Sequence, residues 1–215
     1  AHARAWLSVF TERGLPVTYE RVRHLIGMGS DKLLPTLTGI NPDTPTGQEI
    51  AARQLAIFKR DALAYLRPFP ATRALALRMR DDGLKLAVAS SASSEVLGAL
   101  LDIAELRDLI EYVSSTDDAD KSKPDPDIVR ATLARTGEPA DRAVMIGDTP
   151  YDIEAAARAG MPAIALRCGG GWSEQDLAEA VGVYDDPLDL LLNYDDSPLV
   201  RSAGLKPRPT RDATL

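Results

Sequence analysis

An apolar run that ends in glycine, meets an acid at once and then opens a helix leaves few folds available. Val144-Met145-Ile146-Gly147-Asp148-Thr149-Pro150-Tyr151-Asp152 has that order and continues through Ile153 to Gly160. The run has strand length. Thr149-Pro150-Tyr151-Asp152 offers an N-cap, a proline at the first helical position and an acid three residues past the cap. Asp148 then stands at the carboxyl end of a strand, and Asp152 in the first turn of the next helix. Open α/β sheets bind ligands in the crevice beyond their carboxyl strand ends, so two acids here point to a metal or phosphate site. Each also has a structural reading, Asp152 as a helix cap and Asp148 as a turn residue, and this stretch alone leaves both standing.

The rest of the chain decides what kind of sheet this strand joins. Residues 2 to about 66 read as helices only. Trp6, Leu7, Val9 and Phe10 form one apolar face, and Gly14-Leu15-Pro16 breaks it. Thr18 and Arg21 to Ile26 begin a second helix, and Lys32 to Leu37 make a third after the turn at Gly27-Met28-Gly29-Ser30-Asp31. Residues 41–47 read as loop. Gln48 to Leu66 is the longest helix, with Ile50, Leu55, Phe58, Ala62 and Leu66 at roughly helical spacing. Arg67-Pro68-Phe69-Pro70 is the linker. Beyond it helices at 71–82, 95–101, 125–135, 150–159, 173–180 and 187–192 alternate with strands at 84–89, 112–114, 142–146 and 163–166. That alternation implies an α/β fold, a Rossmann-like parallel-sheet core carrying a small all-helical domain. The expected division is 1–67 helical, 68–195 core, and 196–215 an extended tail marked by Pro198, Pro207 and Pro209.

Composition narrows the function. A net charge of −7 and no basic run argue against nucleic acid. No stretch approaches a membrane span, and the N-terminal residues lack a signal-peptide layout, so a cytoplasmic protein is expected. The single cysteine, Cys168, excludes an internal disulfide and a cysteine-rich zinc site. Nothing in the sequence activates it as a nucleophile, which favours a structural thiol. The two histidines, His2 and His24, both fall in the helical segment, so no Ser-His-Asp set is on offer.

Three polar signals sit where core strands end: Ser90, with Ser91 beside it, after 84–89; Lys123 after 112–114; Asp148 after 142–146. Parallel strands of one sheet carry their carboxyl ends to one edge, so hydroxyl, ammonium and carboxylate converge there. Singly, Ser90 reads as a helix cap and Lys123 as a solvated loop residue. Together they match what a phosphomonoester dianion needs: a donor hydroxyl, a cation, and a divalent metal held by carboxylates. Mg²⁺ takes one or two carboxylates and completes its shell with water and substrate oxygen. Asp148 suits that role, and Asp152 either joins it or orients a bound water.

Ser90 after an apolar strand, Lys123-Pro124-Asp125-Pro126-Asp127, and Gly147-Asp148-Thr149-Pro150-Tyr151-Asp152 resemble the second, third and fourth motifs of the haloacid dehalogenase superfamily. The branch resembled is that of phosphoglycolate phosphatases and β-phosphoglucomutases with a helical cap, over about residues 1–195. The resemblance implies a Rossmann-like core, a four-helix cap over residues 1–67, Mg²⁺, and a small phosphorylated metabolite as substrate, in a monomer or homodimer. It also implies phosphate contacts from Ser90, Ser91 and Lys123, with Lys123 neutralising the nucleophile. In the cap, His2 resembles the mutases' histidine at the start of the first cap helix, although a helix-surface histidine is the commoner case. Ser30 stands where mutases carry a phosphate-holding arginine, with Lys32 nearby, which leans toward a phosphatase. Gly147-Asp148 argues against dehalogenase chemistry, which needs no metal.

One departure is large. The family's first motif, an Asp-x-Asp strand preceding the cap, is absent from residues 1–215. It supplies the nucleophile that forms an aspartyl-phosphate and the general acid/base. That strand lies mid-sheet in the family, so its loss would leave a split sheet with apolar edges. The expectation is therefore that the natural chain continues upstream of Ala1, and that residues 1–215 by themselves turn over no substrate. Two alternatives stay open: a non-catalytic member kept for binding or assembly, and a β-phosphoglucomutase-like phosphotransferase.

Overall fold

The structure, a computed structural model, describes residues 1–202. Its first part is helical: α1 (His2–Glu12), α2 (Tyr19–Arg23), α3 (Ser30–Thr38) and α4 (Pro45–Asp61). Trp6, Val9, Phe10, Val22, Leu33, Leu34, Ile50, Ile57 and Phe58 bury into one cluster between these helices. Each such side chain contributes roughly 1.5–3 kcal/mol of burial. The longest helix begins three residues earlier than the loop reading of 41–47 allowed. Thr44 caps it by accepting from the Gly47 amide at 3.2 Å, with Pro45 at the first helical position. It also stops at Asp61, and Leu63–Tyr65 add only a 3₁₀ turn.

The remainder runs α5 (Thr72–Asp81), β1 (Ala87–Ala89), α6 (Ser94–Ile103), β2 (Tyr112–Ser114), α7 (Asp127–Thr136), β3 (Met145–Gly147), α8 (Pro150–Arg158), β4 (Ala163–Leu166), β5 (Gly182–Tyr184), α9 (Pro187–Leu192) and α10 (Pro198–Ser202). Every strand pair is parallel, with Val88 opposite Val113, Ile146 opposite Ile164, and Ala165 opposite Val183. The ladder is not continuous. β1 and β2 form one sheet, and β3, β4 and β5 another.

Helices pack the two sheets together. On one face Ile128 and Val129 of α7 share a cluster with Ile153 of α8 and Ala163 and Ala165 of β4, and Ala89 of β1 packs against it. On the other face Leu75, Ala76 and Met79 of α5 meet Ile164, Leu166 and Leu190, together with Leu86 just ahead of β1. All the strand pairs of both sheets are parallel, as the α/β reading requires.

Three sequence expectations change. Residues 173–180 form no helix: their backbone bonds run Asp176 to Ser173, Ala178 to Gln175 and Ala180 to Leu177, successive three-residue turns. The chain then enters β5, which the sequence reading omitted. The segment after Ser197 is not extended at its start, because α10 buries Leu199 and Val200 against α5 and α9. Pro207 and Pro209 lie outside the described residues. Among the described residues no helix is long and apolar enough to cross a membrane.

Candidate active site

The two sheets meet chemically at one ion pair. The chain leaving β2 turns through a Ser115 cap and delivers Lys123, whose Nζ donates to Asp152 Oδ1 at 2.5 Å. The side chains are 10% and 5% exposed, so the pair is buried. The other oxygen of Asp152 is fully engaged by its own helix start. It accepts from the Asp148 amide (3.2 Å), the Thr149 amide (3.1 Å) and Thr149 Oγ1 (2.8 Å). Thr149 Oγ1 accepts in turn from the Asp152 amide, a reciprocal capping box. Asp152 is thus both a cap and the counter-ion of Lys123.

Asp148, four residues earlier, is built differently. It is exposed, with no ion pair among the described residues, and its side chain lies against Gly169. A Cβ at residue 169 would come 2.2 Å from Asp148 Oδ2, so any larger residue there would have to displace the Asp148 side chain. The packed protein around the carboxyl, and then the charge of Asp152, raise its pKa above the usual value, against the opposing pull of Lys123 and Arg23.

On the other strand end, the Ser90 amide donates to the Ser114 carbonyl at 3.0 Å and extends the β1–β2 ladder by one bond. Its Oγ accepts from the Ala92 amide at 3.1 Å, which leaves the hydroxyl proton free to donate. Ser91 Oγ and Ser114 Oγ are buried without a hydrogen-bond partner. A buried orphan hydroxyl carries a desolvation cost of about 1–3 kcal/mol, which an anion accepting from it would relieve.

The three candidates in the helical region are placed less directly. His2 stacks flat on Phe58 of α4, centroids 4.0 Å apart, and burial pulls its pKa down to about 4. Ser30 opens α3 and is exposed. Lys32 forms an ion pair with Asp125, two residues past Lys123, so its charge is already committed. Sequence reasoning missed the residues that join the helical region to the core. Arg23 donates to the Gly169 and Gly170 carbonyls, and Tyr151 donates to the His24 carbonyl. Trp172 stands edge-on to both His24 and Tyr151, at 5.5 and 5.7 Å. No local pattern announces the contacts of Arg23 and His24 with the core, because each of those spans more than a hundred residues. The pK of Cys168 is raised to about 11, first by burial, in keeping with an inert thiol.

As a metal site the residues present supply one uncommitted carboxylate, Asp148. Among the described residues no three His, Cys, Asp or Glu side chains cluster as a metal cage. That donor set fits an ion that keeps most of its shell as water and substrate oxygen, which is the habit of Mg²⁺.

Comparison with known proteins agrees with this geometry. The family model described as haloacid dehalogenase-like hydrolase matches residues 1–166. The phosphoglycolate phosphatase of Rhodospirillum rubrum is 31% identical over 180 residues, covering 80% of this chain and 74% of that protein. The crystal structure of a hydrolase from Pseudomonas syringae superposes with a TM-score of 0.83 at 26% identity, covering 91% of this chain and 90% of that one. In fold alone, CbbY from Rhodobacter sphaeroides, solved in complex with phosphate, is also similar, with a TM-score of 0.68, 24% identity and 88% of each chain covered.

Proposed function

The chain belongs to the haloacid dehalogenase-like hydrolases, and from that premise we propose that it is a Mg²⁺-dependent phosphatase of small phosphomonoesters, of the phosphoglycolate or sugar-phosphate type. The observation that carries the reading is the buried Lys123–Asp152 pair, which joins two strand ends beside the uncommitted carboxylate of Asp148. In this reading the hydroxyls of Ser90 and Ser91 donate to the phosphate oxygens and Lys123 offsets the phosphate charge. Asp152 holds Lys123 in place, and it could ligate a metal only by giving up donors it already has. Asp148 would hold Mg²⁺, whose bound charge offsets that of the dianion. Residues 1–67 would serve as the cap that covers the cleft and selects the leaving group.

The attacking group would be an aspartate on a strand preceding residue 1 that enters between β1 and β3, forming an aspartyl-phosphate later released by water. The break between the two sheets supports this, since β1–β2 and β3–β4–β5 have no ladder joining them. The commitment of Lys32 to Asp125 leaves the 28–32 loop without a free cation for a second phosphate, which favours a phosphatase over a mutase. The test is p-nitrophenyl phosphate turnover by the full natural chain with and without Mg²⁺. Metal-dependent turnover that disappears in Asp148→Ala is expected. A full chain inert toward a broad panel of phosphate esters would instead support the binding or assembly role.

A further inference from the structure

Lys123 is the cation of the proposed phosphate site, and the backbone carrying it is gripped on both sides by the helical region. On the amino side the Asp31 carboxylate accepts from the Ser122 amide at 3.1 Å, and the Gly29 amide donates to Ser122 Oγ at 3.0 Å. On the carboxyl side Lys32 forms its ion pair with Asp125. Ser122 and Lys123 are only 6% and 8% exposed. The two loops are in full contact: a Cβ on Gly29 would lie 2.6 Å from Ser122 Cβ. Asp31 and Ser122 are 91 residues apart in sequence, so this contact exists only while the helical region sits against the core.

Resting on the phosphate-site reading above, we propose that Asp31 is a positioning residue that acts through Ser122 to set where Lys123 stands. A carboxylate accepting from a backbone amide makes a charge-assisted bond, and here that amide belongs to the residue before the lysine. With Asp31 and Gly29 holding Ser122, and Lys32 holding Asp125, the Lys123 ammonium is fixed toward Asp152 and the anion. When the helical region lifts away, the loop loses both grips and its cation loses its aim. Closure over the leaving group and readiness to hold the phosphate are thereby one event.

The experiment measures inorganic phosphate binding by calorimetry on the full chain, together with amide hydrogen exchange over residues 121–125. Asp31→Ala should weaken phosphate binding about tenfold and speed exchange of the Ser122 amide about tenfold. Asp31→Asn keeps an acceptor oxygen and should restore both to within about threefold. Gly29→Ala, whose Cβ would lie 2.5 Å from Asp31 Oδ1 and 2.6 Å from Ser122 Cβ, pushes the two loops apart while removing no charged side chain; it should reproduce Asp31→Ala, and it carries the test if circular dichroism shows Asp31→Ala unfolded. Lys123→Ala marks the loss of the phosphate site itself. A role for Asp31 confined to the N-terminal dipole of α3 would leave phosphate affinity and Ser122 exchange unmoved, and that outcome overturns the proposal. A wild type that takes up no phosphate overturns the site reading and the coupling with it. A wild type that binds, alongside Asp31→Ala and Gly29→Ala variants that bind equally well, overturns the coupling alone.

Discussion

The carboxyl edges of the two sheets carry different side chains, hydroxyls and a lysine on one and carboxylates on the other. The β1–β2 edge presents hydroxyls at Ser90 and Ser91 and leads into the loop of Lys123. The β3–β4 edge presents Asp148 and Asp152. The contrast continues within each edge. Asp152 is saturated, with the Lys123 ammonium on one oxygen and three donors on the other. Asp148 has no ion pair among the described residues, and Ser91 Oγ has no hydrogen-bond partner. Groups whose partners all lie within the protein hold the structure together, whereas unpaired ones are those that stand to gain from a ligand. The difference separates residues whose loss should unfold the protein from residues whose loss should silence it.

Lys123→Ala should break that comparison most sharply. It leaves Asp152 charged, buried and unpaired at the junction of the two sheets, which costs about 3–5 kcal/mol. For a chain of this length the melting temperature should fall by roughly 10 °C; an unchanged melt would mean that the pair does not join the halves. Asp148→Asn should do the reverse. Turnover in Mg²⁺ should fall by about a hundredfold or more, while the melting temperature stays within about 2 °C of wild type. A large loss of stability in Asp148→Asn would make that carboxylate structural. Ser90→Ala should weaken inorganic phosphate binding about tenfold, the worth of one hydrogen bond to a charged group, and leave Mg²⁺ affinity alone. If phosphate and metal affinities fell together, the two edges would not be separable.

Much of this division was legible in the sequence because it is written locally. Gly147-Asp148-Thr149-Pro150-Tyr151-Asp152 announces a strand end, a cap and a helix start within a few residues, and the structure realises each. The parallel α/β order followed from strands and helices in alternation. What escaped lacks a local signature. The turn at Ser173 has the Ser–Asp reciprocity of a helix start, but a cap does not say whether the helix propagates. β5 lies in Ala180-Val181-Gly182-Val183-Tyr184, where Gly182 interrupts the apolar residues and hides the strand. The prolines after Ser197 suggested extended chain, yet Pro198 suits a first helical turn, and burying Leu199 and Val200 settles the segment. Arg23, Asp31 and Ser122 matter through partners far away in sequence, and a single chain carries no periodicity that pairs them.

The mildest change asks which neighbour holds Asp152. Thr149 offers it two donors and caps α8, whereas Lys123 offers a charge from the other sheet. Thr149→Ala removes the hydroxyl from the capping box but leaves the Thr149 backbone amide, the Asp148 amide and the ion pair in place. The expected cost is about 1 kcal/mol, or roughly 2–4 °C in melting temperature, and Thr149→Ser should recover most of it by keeping the oxygen. Phosphate affinity should hardly move, because Lys123 still has its counter-ion. A Thr149→Ala loss as large as that of Lys123→Ala would reverse the assignment: the helix start would then be what fixes Asp152, and Lys123 would be a cation held nearby rather than the tie between the two sheets.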